Sequence, residues 1–254
     1  MQEPLFSIVT ITYNASPTIE RTIRSVASQS FNDYEHIIVD GASKDNTLEI
    51  IDRVPGKELR TVYSEPDNGL YDAMNKGLGY ANGQYLIFLN AGDKFHTSDT
   101  LAEIAETIRT KNFPGVVYGQ TNLVDNEGKF IAQRHLSAPD NLQYKDFARG
   151  MLVCHQAFVV LRRIAPLYNL KWRYSADYEW CLICLQHSRK NEFTGSVLID
   201  YLSEGLTTAN RRSSLIERFK IMSHYFGFWP TLWRHLGFVR RFLNHKKQLK
   251  NASI

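Results

Sequence analysis

Four apolar stretches in the first part of the chain each run directly into a small polar cluster. They read SIVTIT, HIIV, LRTVY and YLIFL, and they end at residues 12, 39, 63 and 89. Helix-length segments separate them, and this alternation predicts β-α-β units of a parallel sheet. Right-handed crossovers place the carboxyl ends of neighbouring strands along one edge, where such sheets bind ligands. The four polar clusters are therefore expected to line one crevice.

Apolar residues at helical spacing predict a helix after each of these strands. The first is expected to begin at Ser16-Pro17, and the second to be capped within 45–47 and to end before Pro55-Gly56. The third is predicted from about Leu70 to Tyr80, and the fourth around 101–108. The first 110 or so residues therefore indicate alternating strand and helix.

The pattern changes near residue 115. Strands are predicted around 116–118, on both sides of a tight turn at 125–128, and at 157–161, followed by a helix over about 175–187. The predicted fold class is α/β, a mostly parallel sheet flanked by helices, with an α+β half after it. We expect one unit over 1–212, with halves of about 1–112 and 113–212, and a helical extension over 213–254.

The charge of the chain is concentrated in that extension. Of the 254 residues, those from Arg211 to Lys250 include ten Lys or Arg and one acid, Glu217, although the whole chain carries only +4. The extension is amphipathic and is expected to break at Trp229-Pro230. Two interpretations stay open for 213–250: peripheral contact with an anionic membrane, or packing on the domain or on a homodimer partner. Nucleic acid is not an expected partner, because no nucleic-acid motif accompanies the basic residues.

Location and redox state follow from simpler features. The first residues lack the basic lead and apolar core of a signal peptide, and no apolar run reaches the roughly 18 residues that a membrane span needs. A cytoplasmic protein that does not span the membrane is therefore expected. The three cysteines are an odd number and favour buried thiols over disulfides.

Two of the polar clusters carry candidate chemistry for a nucleotide-sugar. Asp40 ends its strand, where a carboxylate can accept the imide N–H of a uracil ring; a turn-forming aspartate is the alternative. In Asn90-Ala91-Gly92-Asp93, Asp93 is the predicted ligand of a divalent metal that stabilises a leaving diphosphate, with Asn90 as a neutral helper. A simple β-turn is the competing interpretation.

Longer motifs resemble a known enzyme family. SIVTITYN, VDGASKDNT, DNGLYDAMNKGLGYANGQYLIFLNAGD and CHQAFVVLRR…SADYEWCL are similar to family 2 glycosyltransferases of the GT-A fold, over about residues 5–187. In particular they resemble the bacterial branch that builds capsular, exopolysaccharide or lipopolysaccharide chains. The resemblance implies inverting transfer from a nucleoside diphosphate sugar, with a UDP-sugar favoured, to a glycan or lipid-linked acceptor, and dependence on Mn²⁺ or Mg²⁺.

The resemblance also implies site residues. Asp177 occupies the position of the family's Glu-Asp motif, where a general base is needed, although Ala176 replaces the Glu; Glu179 is the fallback, and an N-terminal helix acid is the alternative. The other expected contacts of nucleotide, sugar or acceptor are Thr12, Tyr13, Asn14, Gly41, Ser43, Asp67, Asn68, Gly69, Asp72, Asn75, Ala91, Gly92 and His155. Alternatives remain open for four of these residues: core packing for Tyr13, helix capping for Asp67 and Asp72, and a structural role for His155.

Two departures from the family pattern change what is expected. Asn90 and Gly92 stand at acidic places of the usual metal motif, and Met74 stands before Asn75 where an arginine is common, so that Lys76 is the substitute phosphate contact. Two rival functions are weighed. A nucleotidyltransferase would need a glycine-rich basic phosphate loop after the first strand, which TYNASPT does not supply. A non-catalytic nucleotide-sugar-binding subunit would explain the altered metal motif, but not the retained Asp40, Asp93 and Asp177.

Overall fold

The structure is a computed structural model that describes residues 3–203 and 211–235. The strands are β1 (Phe6–Thr12), β2 (Tyr34–Asp40), β3 (Arg60–Ser64), β4 (Tyr85–Phe88), β5 (Lys94–Phe95), β6 (Val116–Val124), β7 (Phe130–Gln133), β8 (Phe158–Leu161) and β9 (Asn191–Leu202). The helices are α1 (Ile19–Ala27), α2 (Thr47–Arg53), α3 (Leu70–Tyr80), α4 (Thr100–Thr110), α5 (Ala176–His187) and α6 (Arg211–Phe226), followed by helical residues 228–235.

One nine-stranded sheet joins both halves of the chain, in the order β3-β2-β1-β4-β8-β6-β9-β5 with β7 beside β6. β3, β2, β1 and β4 are parallel, as predicted from the alternating pattern. From β8 onward the pairs are antiparallel, except that β6 and β9 run parallel. The predicted α/β class is confirmed, and every antiparallel pair includes a strand of the predicted α+β half.

Helices cover both faces of the parallel half. The isoleucines Ile19 and Ile23 of α1 pack with α2 and with Ile38 of β2 on one face. On the other face α3 packs closely against the sheet at Gly77, where a Cβ would overlap the side chain of Val9. The carboxyl ends of the strands form the edge at which the site is built.

The first helix starts later than predicted, whereas the second starts where predicted but without a side-chain cap at its N-cap residue, Asn46. α1 begins at Ile19 rather than at Ser16-Pro17, and neither α1 nor α2 has a side-chain cap. The reason lies in the tertiary structure: the backbone N–H of Ser16 is bound by Asp45, whose carboxylate also accepts the N–H of Thr47. The side chains that suggested caps connect the two loops instead. The predicted α3 bounds and the end of α2 before Pro55 are confirmed.

The predicted boundary at 212/213 falls inside α6, whose Ile221 and Met222 are fully buried in the main core. The predicted break at Trp229-Pro230 lies two residues earlier: α6 ends at Phe226, Gly227 follows with a left-handed φ of 87°, and Pro230 lies in the first turn of the next helix. Proline is tolerated there because first-turn N–H groups have no helical partner. The part of the predicted amphipathic extension beyond residue 235 lies outside the described residues.

Two further predictions concern the state of the cysteines and helices that could span a membrane. All three cysteines are buried and free, in agreement with core thiols. No helix in residues 3–203 or 211–235 combines the length and the apolar character that crossing a membrane requires.

Candidate functional site

The carboxyl ends of three neighbouring strands bring Thr12, Asp40 and Ser64 side by side. Thr12 pairs with Asp40, and Asp40 pairs with Ser64, in the parallel registers. Asp40 is fully buried, and its carboxylate accepts hydrogen bonds from the Ser43 N–H (2.9 Å) and from the hydroxyls of Ser43 and Ser64 (2.7 Å for Ser64). Donors therefore hold this carboxylate in one orientation at the strand ends.

The segment after Asp40 supports the loop after β1. Asn14, in a left-handed conformation with φ of 47°, accepts the Lys44 N–H, and its own N–H donates to the Ser43 hydroxyl. Ala15 donates its N–H to Thr47. These bonds explain the polar run 43–47 as a brace between two loops, so Asn14 and Ser43 position the crevice wall.

Tyr13, Gly41 and Asp67 meet beside this brace. A Cβ on Gly41 would lie 2.5 Å from Asp67 Oδ2 and 3.3 Å from the Tyr13 ring, so only glycine lets both approach the backbone here. Tyr13 is 59% exposed, which excludes core packing as its role. The exposed Tyr13 ring and the Asp67 carboxylate lie beside Gly41, where the backbone carries no side chain. This arrangement suits the flat, polar base of a nucleotide.

We expect Gly41→Ala to weaken donor binding about tenfold, because the added methyl displaces Asp67 from the crevice and disturbs its hydrogen bond to the Gly69 N–H. Titration of UDP and UDP-sugars by calorimetry measures the effect. The matched control is Gly79→Ala, where a Cβ meets nothing within 4 Å. Equal affinity in both variants would contradict a nucleotide site at Gly41.

The turn before α3 is closed by its own side chains. Asp72 accepts the N–H and the side-chain amide of Asn68. Asp67, Asn68 and Gly69 are all at least partly exposed on the crevice side of this turn, with Gly69 at φ of 117°. Capping therefore accounts for Asp72, while the turn itself remains open to a ligand.

Two other predicted contacts are already occupied within the protein. Asn75 binds both backbone polar groups of Tyr168, at 3.0 and 2.7 Å, and thus fastens α3 to the 165–174 loop. Lys76 forms an ion pair with Glu65 at 2.9 Å and donates to the Pro66 carbonyl. The geometry gives Asn75 a structural role and leaves Lys76 at the crevice rim.

Thr22 of α1 fixes the Asn90–Asp93 turn by hydrogen bonds. The Thr22 hydroxyl donates to the Asp93 carbonyl at 2.7 Å and accepts the Gly92 N–H at 2.9 Å. The Ala91 N–H donates to Ile11, which extends the β1–β4 pairing to the level of Thr12. The side-chain oxygens Thr12 Oγ1 and Asn90 Oδ1 are buried without a hydrogen-bond partner among the described residues. Unsatisfied buried oxygens at a strand edge indicate a place for a ligand's donors.

Asp93 itself points away from solvent. It is 3% exposed, and its two oxygens accept the Gln156 side-chain amide (2.9 Å) and the Leu202 N–H (3.0 Å). Burial raises the pKa of Asp93 to about 7, although these hydrogen bonds and Arg21 act in the opposite direction. The carboxylate therefore fastens the end of β9 to the 90–93 turn.

A divalent metal, Mn²⁺ or Mg²⁺, requires several oxygen ligands. Among the described residues no three His, Cys, Asp or Glu side chains converge on one point. Asp93 has both oxygens engaged, and Asn90 and Gly92 replace the other acids of the motif. In this arrangement these residues do not fit a metal ion held by carboxylates of the chain.

Asp177 lies where the two halves of the chain meet. It is the second residue of α5, is partly exposed, and accepts the hydroxyl of Tyr71, the second residue of α3, at 3.0 Å. Burial, and then the neighbouring Asp177, raise the pKa of Tyr71 well above its usual range, so this hydroxyl keeps its proton and donates. Tyr71 adjoins Asp72 and the exposed 67–69 turn, so it links the predicted base to that turn.

An aromatic cluster underlies Asp177. Tyr168 stacks on Trp180 with ring centroids 5.1 Å apart and on Tyr71 at 5.6 Å, and its hydroxyl contacts His155 Nε2 at 2.6 Å. His155 is buried, which lowers its pKa to about 4 and leaves it neutral. These contacts fit the structural interpretation of His155. Glu179, the fallback base, is also buried, accepting the Trp172 indole N–H at 2.8 Å.

Sequence reasoning missed Tyr71, Tyr168 and Gln156 as parts of the site. In the sequence Tyr71 is one residue of the predicted helix over 70–80, and Gln156 only adjoins the candidate His155. Their contacts span 106, 93 and 63 residues of sequence, respectively. No local spacing could have indicated them.

Known proteins resemble this chain in sequence and in fold. The family described as Glycosyl transferase family 2 matches residues 7–165. A Mycobacterium bovis protein named PGL/p-HBAD biosynthesis glycosyltransferase is 33% identical over 193 residues, which cover 74% of this chain and 72% of the relative. A Bacillus subtilis protein named putative teichuronic acid biosynthesis glycosyltransferase TuaG is 32% identical over 153 residues, 59% of this chain and 60% of that relative.

Solved structures share the fold. The S. aureus TarS 1-349 crystal structure in complex with UDP-GlcNAc superposes with a TM-score of 0.68 at 17% identity, covering 92% of this chain and 73% of that one. The Pyrobaculum calidifontis mannosyltransferase PcManGT, in complex with GDP-Man and Mn²⁺, gives 0.63 at 18% identity, and the match spans 86% of this chain and 64% of that one. These likenesses confirm the predicted GT-A-like fold. Since the family match covers most of the chain and includes the carboxyl ends of β1, β2, β3 and β4, this protein belongs to glycosyl transferase family 2 and is a glycosyltransferase.

Proposed function

We propose that the protein transfers one sugar, with inversion, from a nucleoside diphosphate sugar to a hydroxyl of a growing cell-surface glycan, with Asp177 as general base. The observation that carries the proposal is the position of Asp177 between the halves, fixed by Tyr71 beside the exposed 67–69 turn. A UDP-sugar is the favoured donor, as UDP-GlcNAc is bound in the TarS structure. The surface-glycan acceptor is inferred from the names of the mycobacterial and Bacillus relatives.

The donor side is assigned to the edge of β1, β2 and β4. Tyr13 and Asp67 would contact the base, as would Asp40 once its carboxylate releases the hydroxyl of Ser43 or Ser64. The unpartnered oxygens of Thr12 and Asn90 would accept hydrogen bonds from ribose or sugar hydroxyls. Pairing those two buried oxygens with a ligand recovers a cost of about 1–3 kcal/mol each. The donor would thus lie across the strand ends, with its reactive carbon toward α5.

The chemical step needs one proton transfer and one displacement. The Asp177 carboxylate takes the proton of the acceptor hydroxyl while that oxygen forms a bond to the anomeric carbon. The bond from the anomeric carbon to the diphosphate oxygen breaks, and the electron pair leaves with the nucleoside diphosphate. Attack from the face opposite the leaving group inverts the configuration.

Asp93 as a ligand of Mn²⁺ or Mg²⁺ stays a prediction. For it to bind a metal ion, its carboxylate would have to release Gln156 or the Leu202 N–H. The Mn²⁺ in the mannosyltransferase complex makes the metal a necessary variable of any assay.

A donor panel tests the proposal. UDP-, GDP- and dTDP-sugars, each with Mn²⁺, Mg²⁺ or a chelator, are assayed for protection against thermal unfolding and for nucleotide release. A donor at 100 times its Kd should stabilise the fold by about 2.7 kcal/mol. Protection without release under any condition would favour a binding subunit, and no protection by any donor would refute the proposal.

A further inference from the structure

The two C-terminal helices of the described residues expose several large apolar side chains. Leu215 and Ile216 of α6 and Phe228, Trp229 and Trp233 of the next helix are 50–72% exposed. Phe219 joins the two helices, because its ring contacts the Phe228 ring with centroids 5.8 Å apart. Trp229 and Trp233 are four positions apart and therefore share a helix face. We call Leu215, Ile216, Phe228, Trp229 and Trp233 the aromatic surface.

Cations accompany this surface without acids. Arg212, Lys220 and Arg234 are exposed, and none of them forms an ion pair with an acid in the described residues. The acid of this region, Glu217, uses both oxygens to accept the backbone N–H groups of Arg173 and Tyr174. The sequence after residue 235 adds five Lys or Arg and no acid. The electrostatic field of the region is therefore positive.

From this combination we infer that the aromatic surface and its flanking cations bind the interface of an anionic lipid bilayer. Tryptophan is favoured at the headgroup level, and lysine and arginine add attraction to anionic lipids. A second protein copy would bring the same positive charge to the surface, so charge complementarity favours lipid. Residues of this kind lie on a bilayer rather than cross it.

Helix α6, which carries part of the aromatic surface, is hydrogen-bonded to the segment that precedes the predicted base, Asp177. On the opposite face of α6, Ser214 is buried and its hydroxyl lies 3.0 Å from that of Ser175, two residues before Asp177. Together with Glu217, this contact fastens the 173–175 segment to α6. Lipid binding through the aromatic surface would hold the opening of the Asp177 site near the bilayer, where a lipid-linked acceptor resides. This last step rests on the proposed function.

Vesicle flotation with the full chain tests the inference and involves no sugar. The protein should float with vesicles of 30% phosphatidylglycerol in phosphatidylcholine, and much less with phosphatidylcholine alone or at high salt. The double variant Trp229→Ala/Trp233→Ala should bind about tenfold more weakly. The matched control is Phe113→Ala/Phe130→Ala, which removes two aromatic side chains of 52% and 58% exposure elsewhere; it should bind like the unchanged protein.

Equal binding of the tryptophan variant and the control would overturn the inference. So would self-association, measured by sedimentation, that the tryptophan variant abolishes while vesicle binding is absent. Circular dichroism of each variant verifies that the helices are folded. Because flotation is independent of turnover, a failed donor panel with intact flotation would refute the proposed function alone.

Discussion

Replacing Asp177 with Asn is expected to lower turnover by about 10²–10⁴-fold while donor affinity and stability remain nearly unchanged. The amide cannot take a proton from the acceptor hydroxyl, and general base catalysis contributes an effect of this size. Its side-chain oxygen can still accept the Tyr71 hydroxyl, so the contact between α3 and α5 is kept. Nucleotide release and donor calorimetry on the same preparation separate the two quantities.

The competing interpretation of Asp177 is an acid that stabilises a helix N-terminus. Glu49→Gln is the control for it, because Glu49 is an exposed acid in the first turn of α2, away from the crevice. If Asp177→Asn behaves like Glu49→Gln, with unchanged turnover, the base assignment is wrong.

Asp93→Asn is expected to remove a pH dependence of stability. Burial raises the pKa of Asp93 from 3.8 to about 7. The unfolded carboxyl therefore ionises from about pH 4 upward while the folded one stays protonated, so this group's contribution is fully present in acid and is lost as pH rises through about 7. The total loss is on the order of 2–4 kcal/mol. Asparagine has no such titration.

The measurement is the free energy of urea unfolding at pH 5 and pH 8 for both proteins. The stability of Asp93→Asn relative to the unchanged protein should rise by roughly 2–3 kcal/mol over this interval. The exposed Asp33→Asn serves as control and should show no comparable change. A pH-independent difference would mean that Asp93 is ionised in the fold, which is the state a metal ligand requires.

Local pattern was sufficient for the elements and for the edge where the site lies. Apolar runs that end at Thr12 and Val39 predicted parallel strands whose carboxyl ends align, and the register pairs Thr12 with Asp40. The prediction succeeded because a buried parallel strand imposes a continuous apolar run and its crossover fixes direction. The start of α1 was misplaced because long-range bonds from Asp45 bind the residues that locally suggested a cap.

The sequence by itself determined the strand-helix alternation, the polar strand ends and the family motifs, since each depends on neighbours in the chain. Only the tertiary structure decided which polar residues serve the fold and which are left for a ligand. It buried Asp93 against Gln156 and Leu202, tied Asn75 to Tyr168, and left Thr12 and Asn90 with unpartnered oxygens. A side chain's role depends on which partners satisfy its hydrogen bonds, and here those partners are 60 or more residues away.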